Sequence, residues 1–433
     1  MKIWDIVIIG AGASGLAAAA EASSRGASVL VLEKNHVPGR KILSTGAGKC
    51  NFTNERIAIE DYSSQSGGNA KDIFLNGAFA LLPPKEIISF FESIGLMWKK
   101  AETGKIFPLS MKAHDVADVL VKQSVRKGAE IRLLTNVSAI SRIMVKGNRI
   151  FSVKTEKVPS QWQNNGKTSE PGEEYAKKII VAAGSPCYPQ IGGTDAGYGL
   201  LQNLGHSLTE IMPVIVPLKV RENIKDIDGV RTDAFVRFLA ENKEIARSYG
   251  EIIFAKNCLS GPAALDCSRK AQFALQNGKI TAIIDFFTDY SQDELYSMLE
   301  SRLHRLGKNV KFCDFISGMH NYKLLSAIGK RHGISESAKI SSLGEAKFQS
   351  FRRALKSLEF EISGPAGFDS AVVAAGGIPI DEINPGTFES RIIKGLYITG
   401  EIMDIDGRTG GFNLHFAWTS GILAARAAAA SLT

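Results

Sequence analysis

The chain is 433 residues long, which exceeds one ordinary domain, so we expect two or three domains. Hydrophobic residues make up 44% and charged residues 22%, as in a soluble globular enzyme, and the net charge of +8 suits anionic ligands and nucleic acids alike. The five cysteines contain no Cys-x-x-Cys pair, which argues against a disulfide framework or a zinc site.

An apolar run at residues 6–9 predicts a buried parallel strand at the start of the chain. Gly10, Gly12 and Gly15 follow it as Gly-x-Gly-x-x-Gly, and an alanine-rich helix comes next. A second strand, residues 27–32, ends in Glu33. This order of strand, glycine turn, helix, strand and acid predicts a dinucleotide-binding unit.

Each residue of this unit has a predicted part in binding. Gly10 allows the tight turn, and Gly12 lets a pyrophosphate approach the backbone at the positive end of the helix. Gly15 lets the helix pack closely on the strand, and Glu33 is expected to bind both hydroxyls of an adenosine ribose. An acid at that position favours FAD or NAD over NADP, whose extra phosphate it would repel.

The segment that follows, residues 39–54, is rich in glycine, hydroxyl and amide side chains. Its many free N–H groups predict a loop that wraps a phosphate-bearing ligand, although a solvated surface loop is the alternative. Arg40, Lys41 and Ser44 are placed to neutralise phosphate or to reach the flavin. Cys50 has two interpretations, a thiolate beside Lys49 or a small buried hydrophobic residue.

The middle of the chain alternates between helical and strand patterns. Residues 62–76 predict a mobile loop, residues 84–94 and 114–127 predict helices, and residues 130–134, 137–145 and 149–155 predict strands. Residues 160–174 predict an exposed hairpin tip, and residues 176–183 predict another buried strand.

From residue 191 the pattern changes to short alternating segments, which predict a β-rich insert. Residues 291–348 predict a small insert of basic, amphipathic helices. The predicted domains are therefore a dinucleotide-binding domain at 1–190 and 370–433, a β-rich part at 191–290 and 349–369, and a helical part at 291–348.

The last motif, residues 400–421, is a strand end followed by a glycine-rich acidic loop and a helix over residues 414–430. Amides at the start of that helix could hold an electron-rich atom such as the flavin pyrimidine carbonyl. Asp404 or Asp406 is expected to bond the ribityl hydroxyls, and Asn413 with Leu414 to approach the pyrimidine edge. The alternative is a packing helix preceded by a turn.

These motifs resemble the bacterial FAD-dependent flavoprotein family that includes aminoacetone-oxidase-like and bile-acid-reductase-like members. The resemblance extends through Ala182-Ala183-Gly184-Ser185, Tyr188-Pro189, Leu259-Ser260-Gly261-Pro262 and Gly376-Gly377, and spans nearly the whole chain. It implies an α/β fold, with a glutathione-reductase-like (Rossmann-type) FAD-binding domain interrupted by an insert that has a β-barrel part and a small helical part.

The family usually has Arg where Lys49 stands and Gln where His415 stands, so the resemblance does not carry over a substrate. The candidate cofactor-binding residues are Gly10, Gly12, Ala13, Ser14, Gly15, Glu33, Lys34, Gly39, Arg40, Lys41, Ser44, Gly48, Cys50, Asn51, Val137, Ala183, Gly184, Gly400, Glu401, Asp404, Asp406, Gly411, Asn413 and Leu414.

We predict an FAD-dependent oxidoreductase that transfers a hydride to or from a small organic substrate bound between the flavin and the insert. Tyr188, Lys49 and His415 are the catalytic candidates. His415 lies near a helix N-terminus, which disfavours its charged form, so it could be a neutral base or have a hydrogen-bonding or packing role. No second dinucleotide unit is evident, which limits NAD(P)H to a transient electron donor.

Two other functions compete with this one, a flavoprotein that acts on RNA and a non-catalytic flavin-binding protein. The basic segments 302–311 and 330–353 favour RNA, although a solvated basic face is the more common explanation. No cluster of His, Glu and Asp has metal spacing, and no apolar run is long enough to span a bilayer, so neither a metal nor a membrane partner is expected. Met1 leads directly into the first strand without room for a signal peptide, which predicts a cytoplasmic protein.

Overall fold

The computed structural model describes residues 1–158 and 171–432. The described chain forms two compact units, the first from Met1–Pro213 with Val372–Thr433 and the second from Val214–Ala371. Of the exposed hairpin tip predicted at residues 160–174, residues 160–170 lie outside the described residues. The rest of that stretch, from Pro171 onwards, belongs to a strand.

The first segment of the chain builds most of the first unit. Its helices are α1 (Ala13–Ser24), α2 (Arg40–Ser44), α3 (Ala70–Leu81), α4 (Pro84–Ser93), α5 (Ala113–Arg126) and α6 (Ala196–Gln202). Its strands are β1 (Ile3–Ile9), β2 (Val29–Leu32), β3 (Thr53–Asn54), β4 (Tyr62–Ser63), β5 (Trp98–Lys100), β6 (Lys105–Pro108), β7 (Glu130–Arg132), β8 (Thr135–Val145), β9 (Asn148–Lys157) and β10 (Pro171–Val181), followed by β11 (Met212–Val214).

The second unit and the returning segment hold the remaining elements. The second unit has strands β12 (Leu218–Val220), β13 (Arg231–Ala240), β14 (Lys243–Ala255), β15 (Cys258–Ser260), β16 (Ile280–Asp285) and β17 (Leu358–Pro365). Its helices are α7 (Pro262–Leu275), α8 (Gln292–Leu306), α9 (Phe312–Ile316), α10 (Tyr322–Arg331) and α11 (Glu345–Ala354). The returning segment has β18 (Val373–Ala375), β19 (Leu396–Ile398), β20 (Asp406–Gly407) and α12 (Phe412–Ala430).

Within the described residues, seven strands form the main sheet of the first unit, in the order β7-β2-β1-β10-β9-β8 with β19 beside β10. β1 pairs in parallel with β2 and with β10, and β10 pairs in parallel with β19. The side chains of Ile6, Val7 and Ile8 are fully buried, as the apolar run predicts. Because the carboxyl ends of parallel strands meet at one edge, the segments after β1, β10 and β19 come together there.

Helices α1 and α12 pack closely because small residues face each other where they meet. A Cβ atom added to Gly421 would lie 2.2 Å from the carbonyl oxygen of Ser14. A Cβ atom on Gly400 would lie 2.5 Å from Oγ of Ser14, and the hydroxyl of Ser420 accepts a hydrogen bond of 3.0 Å from the Gly400 N–H. Helix α12 therefore packs directly against helix α1, which follows the glycine turn.

The mobile loop predicted for residues 62–76 is wrong for most of that stretch, where β4 and the start of α3 stand instead. The side chains of Phe74, Leu75 and Ala78 form one buried face of α3 and pack into the core of the unit. The glycine and serine residues at positions 63–68 dominate the sequence pattern locally and hide this short apolar face.

The second unit contains the expected β-barrel. Within this unit, which the structure describes completely, six strands close in the order β12-β15-β14-β13-β16-β17. Along β13 the side chains of Ala234, Val236 and Phe238 point into the core, while their neighbours are partly or fully exposed. This alternation is the period-two pattern of a strand with one buried face.

The boundary between the units differs from the predicted one at residue 190. The first unit continues to Pro213, because Tyr198, Leu200 and Leu201 of α6 are buried in its hydrophobic core. Residues 191–213 are glycine-rich and lack a clear helical or strand periodicity of apolar residues, so the sequence pattern placed them in the insert.

A buried polar cluster holds the returning segment in place. The imidazole Nδ1 of His206 lies 2.7 Å from Oε2 of Glu382, and its Nε2 lies 3.0 Å from Oγ of Ser390. These distances match a catalytic triad, but the Ser390 hydroxyl also accepts hydrogen bonds from the N–H groups of Ile392 and Ile393 and is 6% exposed. We therefore assign the cluster a structural role.

In the described part of the chain, no single helix is long and apolar enough to cross a membrane. The consecutive helices α3 and α4 pass that test together, with a bend of 42° between them. Their buried side chains, including Phe74 and Phe91, belong to the hydrophobic core of the first unit.

Substituting Gly421→Ala should destabilise the protein by about 1–3 kcal/mol, because the new methyl group has no space against the backbone of Ser14. Urea unfolding monitored by circular dichroism would measure the change. Gly199→Ala is the matched control, since its added Cβ atom meets nothing within 4 Å on an exposed turn of α6. The control should be neutral or slightly stabilising; equal loss in both variants would contradict the packing argument.

Candidate functional site

The glycine turn after β1 contains glycines of two kinds. Gly10 has φ +99°, and an added Cβ atom would lie 2.5 Å from the carbonyl oxygen of Ala182, while one on Gly15 would lie 1.9 Å from that of Gly10. A Cβ atom on Gly12 would meet nothing within 4 Å. Packing within the protein therefore explains Gly10 and Gly15, whereas the open side of Gly12 leaves room for a ligand.

Helix α1 begins at Ala13 without a capping side chain and without an acidic residue in its first turn. Its leading N–H groups, including those of Ala13 and Ser14, therefore lie at an electropositive helix end that no side chain of the helix neutralises. A helix end of this kind binds phosphate groups well.

The carboxylate of Glu33 lies directly beside the glycine turn. It is 7% exposed, and its Oε2 accepts a hydrogen bond of 2.7 Å from the Ala11 N–H. Its Oε1 accepts hydrogen bonds of 2.8 and 2.6 Å from the backbone and side-chain amide groups of Asn35. The neighbouring Lys34 is half-buried, which lowers its pKa. Asn35 is not among the residues predicted from the sequence, although its place two residues after the acid is a signal that could have indicated it.

The loop after Glu33 is tied to the turn by its backbone. Gly39 has φ +71°, and its N–H donates to the carbonyl oxygen of Ala11 at 2.8 Å. The guanidinium of Arg40 donates to Oδ1 of Asn35 at 3.2 Å. The hydroxyl of Ser44 is exposed and donates to the carbonyl oxygen of Lys41 at 2.9 Å, so it completes the short helix α2 instead of reaching inward.

Lys41 forms an ion pair that joins distant parts of the chain. Its Nζ lies 2.7 Å from Oε2 of Glu401, and the hydroxyl of Ser185 donates to Oε1 of Glu401 at 2.7 Å. The Ala374 N–H donates to the same oxygen at 3.1 Å. The loop after β2, the end of β10 and the end of β19 thus meet at one carboxylate, and Lys41 is only partly exposed there.

A second group of contacts surrounds the start of α12. Gly411 has φ +100°, and a Cβ atom there would lie 2.9 Å from the carbonyl oxygen of Thr53. The Asn54 side chain donates to the carbonyl oxygen of Gly410 at 3.0 Å. The side-chain amide of Asn413 accepts from the N–H of Gly407 at 2.8 Å and donates to its carbonyl oxygen at 2.7 Å. Side-chain bonds thus fix the loop, and no side chain caps α12.

The two aspartates of the last motif are both buried, and Asp404 is largely committed to the protein itself. It accepts hydrogen bonds from the Ser64 hydroxyl at 2.7 Å and from the backbone N–H groups of Gln65 and Ser66 at 2.9 and 3.0 Å. Burial raises its pKa, and these bonds oppose the rise. Asp404 therefore anchors residues 64–66, while Asp406 lies in β20 opposite Ser63.

His415 is completely buried behind this loop. Its Nδ1 lies 2.9 Å from Oγ1 of Thr53, and its ring packs edge-on against Phe79 with centroids 5.4 Å apart. Burial lowers the pKa of His415 to about 3, so the imidazole is neutral at physiological pH. Among the described residues, Nε2 of His415 finds no hydrogen-bond partner. The geometry supports a positioning role, with His415 holding Thr53 beside the start of α12.

The other two catalytic candidates lie in different settings. Tyr188 is half-buried with φ +55°, a strained conformation of the kind that gathers at functional sites. Burial raises the pKa of its hydroxyl, and the nearby charge of Lys41 opposes that rise. Lys49 is exposed on the loop. Cys50 is fully buried, and burial raises its pKa to about 12, so it is a protonated thiol and not a thiolate.

Several of the remaining candidate residues are described by their local setting alone. Gly184 has φ +75° and nothing within 4 Å of an added Cβ atom, like Gly12 on its open side. Asn51 accepts a hydrogen bond from the Ile106 N–H at 3.2 Å, and Val137 is buried in β8. Gly48 is exposed with φ +82°, and Ala183 is partly exposed just after β10.

The residues present fit a dinucleotide that also carries a flavin. Gly12 and the start of α1 offer an open, electropositive place for a pyrophosphate, with the acid Glu33 beside it. The uncapped start of α12 offers N–H groups for an electron-rich ring edge. FAD, when bound at these residues, supplies the hydride-transfer chemistry.

A mixed sheet with a parallel central part, this glycine turn and acid, followed by a barrel insert and a returning segment, is typical of an FAD-binding Rossmann-type flavoprotein. The profile of the HI0933-like protein Rossmann domain matches residues 4–427. The chain belongs to that family, which confirms the resemblance read from the sequence motifs.

Relatives extend over almost the whole chain. The chain is 32% identical over 429 residues to the 3-dehydro-bile acid delta(4,6)-reductase of Clostridium scindens, covering 98% of each chain. It is 27% identical to the ribosomal RNA dihydrouridine synthase of Haemophilus influenzae, covering 96% of each chain. The crystal structure of 3-ketosteroid delta1-dehydrogenase from Sterolibacterium denitrificans matches with a TM-score of 0.52 at 12% identity over 100% of each chain, a likeness of fold.

The chain is accordingly an FAD-dependent oxidoreductase with an α/β Rossmann-type FAD domain and a closed six-stranded barrel in its described second unit. The predictions of fold, cofactor and enzyme class are confirmed. The roles of individual site residues and the electron donor stay predictions.

We expect Gly12→Ala to fold normally but to lose FAD. Its φ of −80° suits alanine and the added Cβ atom meets no protein atom within 4 Å, so stability should change by less than about 0.5 kcal/mol. The methyl group would occupy the approach of the pyrophosphate, and FAD affinity should fall about tenfold or more. Titration of the apoprotein with FAD measures this. An unchanged affinity would remove Gly12 from the site, and Gly199→Ala serves as the control.

His415 should make the protein less stable in mild acid. Its folded pKa of about 3 lies below the ordinary value of 6.5, so the unfolded chain binds more protons as the pH falls. This group alone should lower the unfolding free energy by about 2 kcal/mol between pH 7 and pH 5.

His415→Gln removes the titrating group and should lose that part of the pH dependence. Urea unfolding at the two pH values measures it. The exposed His114, exchanged for Gln, is the control and should behave as wild type. If His415→Gln kept the full pH dependence, the buried neutral imidazole would not be its source.

Proposed function

We propose that the protein reduces a carbon–carbon double bond in a small unsaturated carbonyl compound of about bile-acid size. The observation that carries this proposal is the 32% identity, over 98% of both chains, to a 3-dehydro-bile acid delta(4,6)-reductase. A small-molecule substrate bound between the flavin and the insert, and NAD(P)H as a transient electron donor, are further parts of the proposal.

In this proposal, separate residues bind FAD and supply the proton for the reduction. Gly12 and the start of α1 hold the pyrophosphate of FAD, Glu33 binds the adenosine ribose, and the start of α12 binds the pyrimidine edge of the flavin. When the double bond is reduced, one carbon receives the hydride and the other needs a proton. We assign that proton to the hydroxyl of Tyr188, which regains one from solvent.

Lys41 supports Tyr188 electrostatically. Its ammonium group opposes the rise in the Tyr188 pKa that burial causes, and the ion pair with Glu401 fixes the ammonium in place. A proton donor is most effective when its pKa is drawn towards the working pH, so Lys41 favours transfer from the tyrosine.

The test uses the FAD-loaded protein, reduced under anaerobic conditions and mixed in a stopped-flow instrument with 3-oxo bile acids that contain C4 and C6 double bonds. Substrate-dependent reoxidation, with the saturated product detected by mass spectrometry, is the expected result. A saturated 3-oxo bile acid is the control and should leave the flavin reduced. Failure with a wide panel of unsaturated ketones, steroids and enones would overturn the proposal.

The variant Tyr188→Phe should reoxidise at least about a hundredfold more slowly, because general acid catalysis contributes factors of about 10² to 10⁴. Its FAD content should stay at the wild-type level. Tyr249→Phe, at an exposed position in the barrel, is the matched control. A wild-type rate in Tyr188→Phe would exclude the hydroxyl as the proton donor.

Action on RNA is the second candidate. The 27% identity to a ribosomal RNA dihydrouridine synthase over 96% of both chains favours it, as does the positive net charge of +8. The reduced protein would be incubated with ribosomal RNA and the digested nucleosides examined for dihydrouridine. Dihydrouridine formation without turnover of any small unsaturated ketone would replace the first proposal by the second.

A further inference from the structure

The carboxylate of Glu33 has most of its acceptor positions filled by the protein itself. An ionised carboxylate offers about four such positions. Oε1 accepts two hydrogen bonds from Asn35, one of 2.8 Å from its backbone N–H and one of 2.6 Å from its side-chain amide. Oε2 accepts only the bond of 2.7 Å from the Ala11 N–H. The room that remains for a ligand hydroxyl is therefore at Oε2, and Ala11 directly precedes the open Gly12.

The side-chain amide of Asn35 is held in one orientation. Its Oδ1 accepts a hydrogen bond of 3.2 Å from the guanidinium of Arg40, and its backbone carbonyl accepts one of 3.2 Å from the Leu134 N–H. Because a guanidinium can only donate, Oδ1 has to face Arg40, which leaves Nδ2 to face Glu33. A Cβ atom added to Gly192 would lie 2.4 Å from Nδ2, so the amide also lies directly against that backbone.

Two loops of the first unit meet at this amide. Asn35 and Arg40 belong to the loop after β2, and Arg40 also donates to the carbonyl oxygen of Gln190 at 3.3 Å. Gln190 and Gly192 belong to the loop after β10. Strand β1 lies between β2 and β10 in the sheet, so the two loops flank the glycine turn that follows β1.

We propose that Asn35 is a positioning residue for the adenosine ribose of FAD and that it acts through Glu33. By filling Oε1, the amide keeps the carboxylate in one orientation and leaves Oε2 to accept a ribose hydroxyl. A group that is already oriented loses less conformational freedom when its ligand binds. The proposal rests on FAD binding and on the assignment of Glu33 to the ribose, and it does not depend on which substrate the flavin reduces.

A purely structural role for Asn35 is the alternative. A buried carboxylate needs hydrogen-bond donors whether or not a ribose binds to it. If Asn35 served only that need, loss of its amide would weaken the binding of every flavin dinucleotide equally. Positioning, in contrast, affects only a dinucleotide whose adenosine carries ribose hydroxyls.

The experiment compares FAD with its 2′,3′-dideoxyadenosine analogue, which lacks both hydroxyls of the adenosine ribose. The FAD-loaded protein is equilibrated with mixtures of the two flavins, and the protein-bound flavins are separated and quantified. Wild type should prefer FAD by about tenfold or more, as expected for a hydrogen bond to a charged group. The variant Asn35→Ala should prefer FAD by about threefold or less, because its Glu33 carboxylate is free to turn.

Two further variants test whether Asn35 acts through Glu33. Asn35→Asp keeps the shape of the side chain but sets a second carboxylate against Glu33, so the preference should fall at least as far as in Asn35→Ala. Glu33→Gln should also lose the preference, and adding Asn35→Ala to it should lower the preference no further, because residues that share one interaction are not additive. Asn76→Ala, at an exposed position of α3, is the control and should keep the wild-type preference.

Circular dichroism checks that each variant folds. Equal weakening of both flavins in Asn35→Ala, or losses that add in the double variant, would assign Asn35 a structural role and overturn the proposal. Equal binding of the two flavins by wild type would also overturn it, while the protein would still be a flavoprotein. Failure of wild type to take up either flavin would instead overturn FAD binding itself, so the two failures are distinguishable.

Discussion

The close packing of helix α1 against its neighbours, which glycine residues make possible, is the constraint on which the rest of the first unit depends. A Cβ atom on Gly15 would clash with the carbonyl oxygen of Gly10, and one on Gly421 would clash with that of Ser14. Helix α1 therefore packs on the end of β1 and on α12 more closely than any side chain at these two positions would allow. The glycine turn and the terminal helix α12 are therefore parts of one packed unit. Gly12, the middle glycine of the turn, is the exception, because a Cβ atom there would meet nothing within 4 Å and its open side leaves room for a ligand.

Much of this architecture could be predicted because it depends on local pattern. The apolar run of β1, the spacing of three glycines and the acid at position 33 specify a strand, a turn and a helix within a short stretch. The terminal helix was also expected, two residues later than its observed start at Phe412. Other features depend on contacts between distant residues. Helix α6 belongs to the first unit because Tyr198 and Leu201 are buried in its hydrophobic core. The local sequence does not indicate which core these side chains join.

The buried polar residues show how tertiary contacts set a role. Asp404 or Asp406 was expected to bond the ribityl hydroxyls, and that stays a prediction; within the protein, Asp404 accepts from the hydroxyl of Ser64 and from the backbone N–H groups of Gln65 and Ser66. His415 was predicted to be a neutral base or to have a hydrogen-bonding or packing role; burial does keep its imidazole neutral, and its Nδ1 lies beside the hydroxyl of Thr53. The cluster of His206, Glu382 and Ser390 has the distances of a hydrolytic triad without access to a substrate. In each case burial and hydrogen-bond partners give information about the residue that its type alone does not.

The first unit is discontinuous, since its core combines Met1–Pro213 with a segment that begins only at Val372. During synthesis the amino-terminal half of the sheet emerges from the ribosome long before β19 and α12 exist, while the barrel between them already has all of its strands. Until β19 has been synthesised, the edge of β10 with which it pairs stays unpaired in the nascent chain. An unpaired strand edge of this kind is a site to which chaperones bind. A flavin site that includes the start of α12 is therefore complete only after nearly the whole chain has been made.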